Sequence, residues 1–319
     1  MPPLIDAVLH TSPTPRPLNY DAPGALKAFL DARGLGMRKQ WGQHFLINPG
    51  ARKALLDALD LEPGEGVWEI GPGLGAMTWG LLERGFRVKA FELDPGFIRV
   101  LTDFFGAHPR FCLVPGDVLK TWPKAGEETY LLGNLPYTIG SRLLGDFIEG
   151  NRFFTRMVVM LQRELVRRMG AKPGSKDYSS FSVLCRSAYT LTPLKVVKGS
   201  SFYPVPHVDS QGLRLDLRTD VDPRSYPPGL RPLVRGLFAS RRKTITHNLY
   251  GFVVSYILAP QGAWTGAEAA HITGEALERC GIPGNTRAEA LELEAFVALA
   301  AVLEDIKKRE ALSKGAHQA

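Results

Sequence analysis

Cysteine is scarce in this chain of 319 residues, and its 3 cysteines lie far apart, at Cys112, Cys185 and Cys280. No CxxC or CxxH spacing occurs, so neither a common structural zinc site nor a disulfide framework is expected. The 7 histidines are scattered as well, without the spacing of metal ligands. We therefore predict no metal site and a reducing compartment, the cytoplasm.

Long hydrophobic runs are also missing. No apolar stretch reaches the roughly 20 residues of a membrane span, and the first residues lack the basic and apolar sectors of a signal peptide. We expect no membrane association. Hydrophobic residues at 45% and charged residues at 22% are ordinary for a globular protein, and the length predicts two domains. An excess of 39 Lys and Arg over 32 Asp and Glu, a net charge of +7, indicates a polyanionic partner.

Short apolar runs alternate with helical patterns through the first two thirds of the chain. Five runs read as buried strands, at residues 67–70, 88–91, 111–114, 130–132 and 157–161. Strands that alternate with helices, such as the one expected over 74–83, predict an α/β fold with a parallel, doubly wound sheet. Residues 208–217 alternate apolar and polar side chains, which predicts an antiparallel strand at the margin of that sheet.

Changes in composition indicate the domain organisation. Residues 1–23 are rich in proline and read as a loosely ordered arm, followed by a short helix from Ala25 to Arg33. A second proline-rich stretch reads as a linker, and the residues after it have helical spacing throughout. The predicted parts are an arm with a short helix at 1–37, a sheet domain at 38–217, a linker at 218–229 and an all-helical domain at 230–319.

Polar groups follow three of the predicted strands. Gly71–Gly75, with the sequence GPGLG, follows the first strand, Glu92 follows the second and Asp117 the third. A glycine-rich turn lets a ligand approach the backbone, and an acidic residue about 20 positions on is placed to accept from ribose hydroxyls. A solvated charge is the alternative for Glu92. The third glycine of GxGxxG is replaced by Ala76, which disfavours a nicotinamide dehydrogenase.

The segment 133–137, Gly-Asn-Leu-Pro-Tyr, follows the next apolar run. The side-chain oxygen of Asn134 and the backbone carbonyl of Leu135 can each accept a hydrogen from an exocyclic amine. Pro136 stiffens the turn because its φ angle is fixed, and Tyr137 offers a ring on which a base can stack. An ordinary strand-to-helix turn is the alternative.

These motifs occur together in one order: GQHFL at 42–46, EIGPGLG at 69–75, then Glu92, Asp117 and NLPY. The set resembles the adenine-N6 dimethyltransferases of ribosomal RNA over residues 25–310. The resemblance implies S-adenosylmethionine as cofactor and a seven-stranded, Rossmann-like class I methyltransferase sheet with a smaller helical domain. By position it implies these donor contacts: Gln43, His44, Leu46, Gly71, Gly73, Glu92, Leu93, Asp117, Val118 and Asn134. His44 and Leu46 would touch the methionine end, Glu92 the ribose and Asp117 the adenine.

Two further segments resemble the same family. Residues 202–210, FYPVPHVDS, match an FxPxPxVxS segment and make Phe202 a second stacking candidate beside Tyr137; a core residue is the alternative. Residues 241–249 look like the RRKTxxxNL segment of the small-subunit enzymes. Phosphate contacts are predicted for six basic residues, with a merely solvated surface as the alternative: Arg163, Arg167, Arg168, Arg241, Arg242 and Lys243.

The function implied is dimethylation of two adjacent adenines near the 3′ end of small-subunit ribosomal RNA, in an assembling 30S particle, by a monomer. Two alternatives remain open. One is a large-subunit methyltransferase of the type that confers macrolide resistance. The other is a non-catalytic assembly or transcription factor on the same fold, against which the intact Glu92, Asp117 and NLPY set argues.

Overall fold

The structure, a computed structural model, describes residues 16–37, 42–126, 128–136, 139–259 and 264–316. The strands are β1 (Phe45–Leu46), β2 (Gly66–Ile70), β3 (Arg87–Glu92), β4 (Phe111–Pro115), β5 (Tyr130–Asn134), β6 (Arg156–Gln162), β7 (Tyr189–Val197), β8 (Phe202–Tyr203) and β9 (Ser210–Leu217). Seven of these strands form one sheet in the order β4-β3-β2-β5-β6-β9-β7, and β1 pairs with β8 in a separate two-stranded sheet.

The five strands predicted from apolar runs all form, and their pairing is parallel. Val67 of β2 lies opposite Val88 of β3 and Tyr130 of β5, and β4 and β6 continue the sheet on either side. All five residues of β2 are buried, as expected for a strand covered on both faces. The predicted α/β class with a seven-stranded sheet is confirmed.

The helices are α1 (Pro23–Ala32), α2 (Pro49–Leu59), α3 (Ala76–Glu83), α4 (Pro95–Phe105), α5 (Val118–Thr121), α6 (Gly140–Glu149), α7 (Arg163–Met169), α8 (Ser180–Ala188), α9 (Leu230–Leu237), α10 (Ile245–Phe252), α11 (Gly266–Arg279) and α12 (Leu293–Ala316). A π-helix, Val253–Leu258, continues α10.

Two helices of the sheet domain are capped by aspartates that follow strands. Asp94 and Asp117 cap α4 and α5 by accepting from the N–H groups of Gly96 and Leu119. The helices therefore begin directly at the strand ends.

The chain divides into two compact units. The first holds the described residues up to Gly140, with Phe154–Arg163 and Thr192–Leu215; the second holds Ser141–Phe153, Glu164–Leu191 and the described residues from Asp216 onward. Each unit is built from separated stretches of chain. Composition alone does not show that separated stretches of the chain contribute to each unit. The domain boundaries that the sequence suggests, at residues 217 and 230, stay a prediction.

Each unit has its own hydrophobic core. In the first, the residues of β2, β3 and β5 pack with α2 and α3, around Val67, Leu81 and Val88. In the second, α9 buries Leu230, Leu233, Val234 and Leu237 at helical spacing. Beyond β9, the described residues form helices and turns, without a strand.

Two details differ from the sequence-based expectation. The strand predicted at the sheet margin, β9, lies one position inside it, and β7 is the edge strand. Part of the arm predicted to be loose is packed: Tyr20 is only 2% exposed, and its hydroxyl donates to the carbonyl of Leu74 at 3.0 Å. Burial of the ring with its hydroxyl satisfied explains why this part of the arm is fixed. Residues 1–15 of the predicted arm lie outside the described residues.

Candidate active site

The strand order creates a crevice between β2 and β5, because the chain proceeds outward from β2 through β3 and β4 and then returns to β5 on the other side. Ligands of doubly wound sheets bind at such a switch point, beyond the carboxyl ends of the strands. The glycine loop Gly71–Gly75 follows β2, and Asn134 ends β5. A Cβ atom built on Gly71 would lie 3.9 Å from the carbonyl oxygen of Asn134 and 4.0 Å from Pro136 Cδ. The two predicted motifs are therefore adjacent.

Glu92 lies at the end of β3, with its carboxylate against the glycine loop. It accepts hydrogen bonds from the backbone N–H groups of Gly73 (3.1 Å), Leu93 (2.9 Å) and Asp94 (2.8 Å) and is 7% exposed. Burial raises the pKa of Glu92 to about 7, although the three N–H groups favour the charged form. A carboxylate has about four acceptor positions, so one remains for a hydroxyl of a ligand.

Asp117 follows β4 and is the next polar group along the strand ends. Its Oδ1 accepts from the N–H of Leu119 at 3.0 Å, which leaves Oδ2 as an acceptor for an exocyclic amine. Leu93, directly after Glu92, is 44% exposed, whereas Val118 is 6% exposed. An exposed leucine between two strand-end carboxylates offers an apolar surface to a planar ring.

The segment Gln43–Leu46 connects the predicted groups. The amide of Gln43 donates to Asp94 at 3.1 Å, and the Phe45 ring lies so close to the glycine loop that a Cβ on Gly73 would be 3.0 Å from Phe45 Cε1. The carbonyl of His44 accepts from Asn134 Nδ2 at 2.9 Å, and the His44 ring contacts the carbonyl of Pro204 at 2.7 Å. The segment therefore adjoins the glycine loop, β5, β8 and the start of α4.

A buried arginine, Arg52, contacts the end of the segment Gln43–Leu46. Arg52 of α2 is 7% exposed; it donates to the carbonyl of Leu46 at 2.6 Å and forms an ion pair with Asp21, which also pairs with Arg16 at 2.9 Å. Sequence reasoning missed this group, since nothing in the local pattern joins residues 31 positions apart. It also missed Asp94, for which the Asp-Pro start of α4 was an available signal.

Glu69 of β2 is a second buried acid that sequence reasoning left without a role. It is 2% exposed and accepts from the Thr78 hydroxyl at 2.7 Å. Burial raises the pKa of Glu69 to about 8, the Thr78 hydrogen bond opposes this, and the nearby Glu92 adds to it. An acidic residue inside an otherwise apolar strand was the signal in the sequence.

The residues predicted to hold the target base are only partly accounted for. Leu135 is 1% exposed and donates its N–H to the carbonyl of Met160 at 3.1 Å, while the Pro136 carbonyl accepts from Ile139 at 3.1 Å. Tyr137 lies outside the described residues. Phe202 is 1% exposed within the core of the first unit, which differs from the accessible stacking ring that we expected. In this structure the Phe202 ring packs against apolar side chains. Its stacking role stays a prediction.

The six basic residues predicted to contact RNA are all exposed but differ in their partners. Arg167 pairs with Asp177 at 2.7 Å, and Arg241 pairs with Glu289 at 3.1 Å. The Arg168 guanidinium lies 5.9 Å from the ring centre of Phe181. For Arg163, Arg242 and Lys243, no side-chain partner occurs among the described residues. Their RNA contacts stay a prediction.

The site's shape and chemistry fit S-adenosylmethionine. Gly71 and Gly73 both have positive φ angles, which glycine adopts without strain, so they make the loop tight and free of side chains at these two positions. Glu92 keeps an acceptor position for a hydroxyl, and Asp117 keeps one for an amine. Within the described ranges, no group of three or more His, Cys, Asp or Glu residues could hold a metal ion. Nor does any described helix combine the length and apolarity needed to cross a membrane.

A seven-stranded doubly wound sheet with a glycine loop after β2, a buried acid at the end of β3 and Asn134 at the end of β5 is the arrangement of a class I methyltransferase. Residues 34–260 match the family model described as "Ribosomal RNA adenine dimethylase". The chain therefore belongs to the ribosomal RNA adenine dimethylase family. This confirms the predicted family and enzyme class, and with them S-adenosylmethionine as the methyl donor.

Curated relatives agree over most of the chain. The "Ribosomal RNA small subunit methyltransferase A" of Treponema denticola is 37% identical over 90% of this chain and 96% of the relative. The protein of the same name from Treponema pallidum is 41% identical over 89% of this chain and 97% of the relative. That of Geobacter metallireducens is 35% identical, with 85% and 96% covered.

Solved structures show the same fold. A dimethyladenosine transferase from Plasmodium falciparum superposes with a TM-score of 0.65 at 23% identity, covering 79% of this chain and 94% of that chain. The 23S ribosomal RNA methyltransferase ErmE gives a TM-score of 0.55 at 22% identity, covering 81% and 99%. At identities of 22% and 23%, the similarity supports a shared fold and does not identify the substrate.

Proposed function

We propose that this protein transfers methyl groups from S-adenosylmethionine to N6 of two adjacent adenines near the 3′ end of small-subunit ribosomal RNA. The product is a pair of N6,N6-dimethyladenosines, made by a monomer in the cytoplasm during assembly of the 30S particle. The observation that carries the proposal is the placement of Glu92, Asp117 and Asn134 at the carboxyl ends of three parallel strands of one sheet, in a chain of the adenine dimethylase family.

The choice of the small subunit rests on the relatives. Those with 35% to 41% identity that cover about nine tenths of the chain carry the name small subunit methyltransferase. The large-subunit enzyme ErmE is only 22% identical, so it supports the fold and not the substrate. The RRKT segment at 241–244 also resembles the small-subunit enzymes.

The donor side of the site needs groups that hold a nucleoside. When bound, S-adenosylmethionine would supply a methyl group on a positively charged sulfur, which is a strong electrophile. Glu92 would accept from one ribose hydroxyl with its remaining acceptor position, and Asp117 would accept from the adenine amine with Oδ2. Leu93 would cover one face of that adenine.

The groups that bind the target adenine must make N6 more nucleophilic, because its lone pair is delocalised into the ring. Asn134 Oδ1 and the Leu135 carbonyl would each accept one hydrogen of the amine. This arrangement pulls the nitrogen out of conjugation and aims its lone pair. Orientation and hydrogen bonding then carry the catalysis, and the proton that N6 loses on methylation passes to water, so no side chain is needed as a general acid or base. The target adenine must leave its stack to reach these acceptors.

The test uses purified full-length protein, labelled donor and unmethylated ribosomal particles of each subunit. We expect label in two neighbouring adenines of small-subunit RNA, mapped by mass spectrometry, and labelling that is roughly a thousandfold slower with Asn134→Ala. Label confined to large-subunit RNA would favour the resistance-type alternative. Donor binding without transfer to either RNA would favour a non-catalytic assembly factor.

A further inference from the structure

The amide of Asn134 is held by a residue from a distant part of the chain. The carbonyl oxygen of His44, 90 positions earlier, lies 2.9 Å from Asn134 Nδ2. A backbone carbonyl can only accept hydrogen bonds, so the amide must turn its nitrogen toward His44. Because the carboxamide is planar, Oδ1 then points to the opposite side, as an acceptor for an amine.

This contact also explains why the position suits asparagine and not aspartate. An aspartate at 134 would place a carboxylate oxygen where Nδ2 now lies, about one hydrogen-bond length from the His44 carbonyl. Two acceptors at that distance repel each other. The orientation of the catalytic amide is therefore set by the backbone of His44.

The His44 ring fixes where that carbonyl lies. Its Nδ1 is 2.7 Å from the carbonyl oxygen of Pro204. Since this oxygen is an acceptor, Nδ1 carries the hydrogen and donates it, in the neutral and in the protonated ring alike. Pro204 directly follows β8, whose Phe202 and Tyr203 pair with Leu46 and Phe45 of β1.

The two-residue ladder between β1 and β8 and the His44–Pro204 hydrogen bond act on the same short stretch of chain. One side of His44 is tied to the segment 202–204, and the other side carries the acceptor for Asn134. Movement of the imidazole away from Pro204 would displace the carbonyl that orients the catalytic amide.

We propose that His44 is a positioning residue for methyl transfer: its ring, anchored on Pro204, holds its own carbonyl in place to orient the Asn134 amide. The inference rests on the proposed function. It differs from the role that the family resemblance implies for His44, a contact with the methionine end of the donor. A positioning role acts on turnover through Asn134, whereas a donor contact acts on donor affinity.

The test compares two variants of matched size, His44→Asn and His44→Asp, in the full chain. An asparagine amide can reproduce the Nδ1–H donor toward Pro204, while an aspartate offers only acceptors there. At saturating donor and RNA we expect kcat within about fivefold of the unaltered protein for His44→Asn and at least roughly tenfold lower for His44→Asp. The donor Kd, measured by calorimetry, should change by less than about threefold in both variants.

A double-variant cycle separates action through Asn134 from an independent effect. We expect His44→Asp to cause no further loss of residual turnover in an Asn134→Ala background, because the group that it misplaces is already gone. Equal kcat for the two His44 variants, a loss seen only in donor Kd, or independent losses in the double variant would each overturn the proposal. An inactive unaltered protein would instead contradict the proposed function.

Discussion

The polar groups at the strand ends and the basic groups of segments 163–168 and 240–243 are held in different ways. Glu92 has three backbone donors, and Asn134 is oriented by a backbone carbonyl. The basic side chains are exposed; Arg167 and Arg241 pair with surface acids, and Arg242 and Lys243 have no side-chain partner among the described residues. Groups that must meet a small ligand in one geometry are fixed before it binds. Groups expected to meet a polyanion extend from the surface with fewer backbone contacts, although Arg241 also donates to the carbonyl of Lys176 at 3.2 Å.

Asn134→Ala should produce the largest effect, because it removes an acceptor that only Asn134 provides in the proposed geometry. We expect kcat to fall by roughly a thousandfold, with the donor Kd changed by less than about threefold. Single-turnover kinetics with small-subunit particles provide the measurement. Unchanged turnover would remove Asn134 from the mechanism.

Glu92→Gln tests the donor side. Replacing one carboxylate oxygen by an NH2 group puts a donor against backbone N–H groups and removes the charge that, in the proposed function, would accept a ribose hydroxyl. The donor Kd should rise roughly tenfold to a hundredfold. Glu83→Gln is a matched control, since Glu83 is exposed and has no ion pair in the described part of the chain. An equal, small change for both variants would speak against ribose binding by Glu92.

The basic residues should affect binding of RNA and its salt dependence. Replacing Arg242 and Lys243 together by alanine should flatten the slope of log K against log salt by roughly 1.5, about 0.7 to 0.9 for each phosphate that is no longer neutralised. Arg241→Ala should change the slope much less, since Arg241 is already paired with Glu289. Filter binding to small-subunit RNA over a series of salt concentrations measures both. If all variants have the same slope as the unaltered protein, residues 241–243 do not contact phosphates and are simply solvated.

Glu69→Gln should have the smallest effect on methyl transfer, and its effect is instead a pH-dependent change in stability. The pKa of Glu69 is about 8 in the folded chain against an ordinary 4.5, so the folded state keeps a proton that the unfolded chain releases. Its contribution is complete below pH 4.5 and is lost as the pH rises through about 8. Glutamine imitates the protonated acid and still accepts from Thr78. Relative to the unaltered protein, the variant should therefore gain roughly several degrees in Tm between about pH 5 and pH 9. A constant difference between the two would contradict the assigned pKa.

The elements that could be predicted from the sequence are those with a local signal. The strands β2 to β6 are apolar runs that periodicity alone finds, and β2 shows the reason, since both of its faces are covered. The edge strand β7 carries Pro193, Lys195 and an exposed Val196, so it lacks such a run. The strands β1 and β8 have two residues each and exist only through pairing with one another.

The candidate site divides in the same way. Glu92, Asp117 and Asn134 could be predicted because each follows or ends a strand that is visible in the sequence. The contact between Asn134 and His44, the burial of Phe202 and the pairing of Arg241 with Glu289 could not be predicted. These depend on segments 48 to 90 positions apart or on packing in the core, for which one sequence holds no signal.

The ion pair of Arg52 determines how far the protein can be shortened. The family match begins at residue 34, yet the counter-ion of this enclosed guanidinium is Asp21, well upstream of that limit. A protein trimmed to the matched residues would retain the cation and discard its anion. Losing one partner of a fully buried ion pair costs about 3 to 5 kcal/mol; the cost here is smaller, because the Asp21 side chain is 35% exposed and Arg52 keeps its hydrogen bond to the Leu46 carbonyl. Trimming should therefore stop before Arg16, the second partner of Asp21.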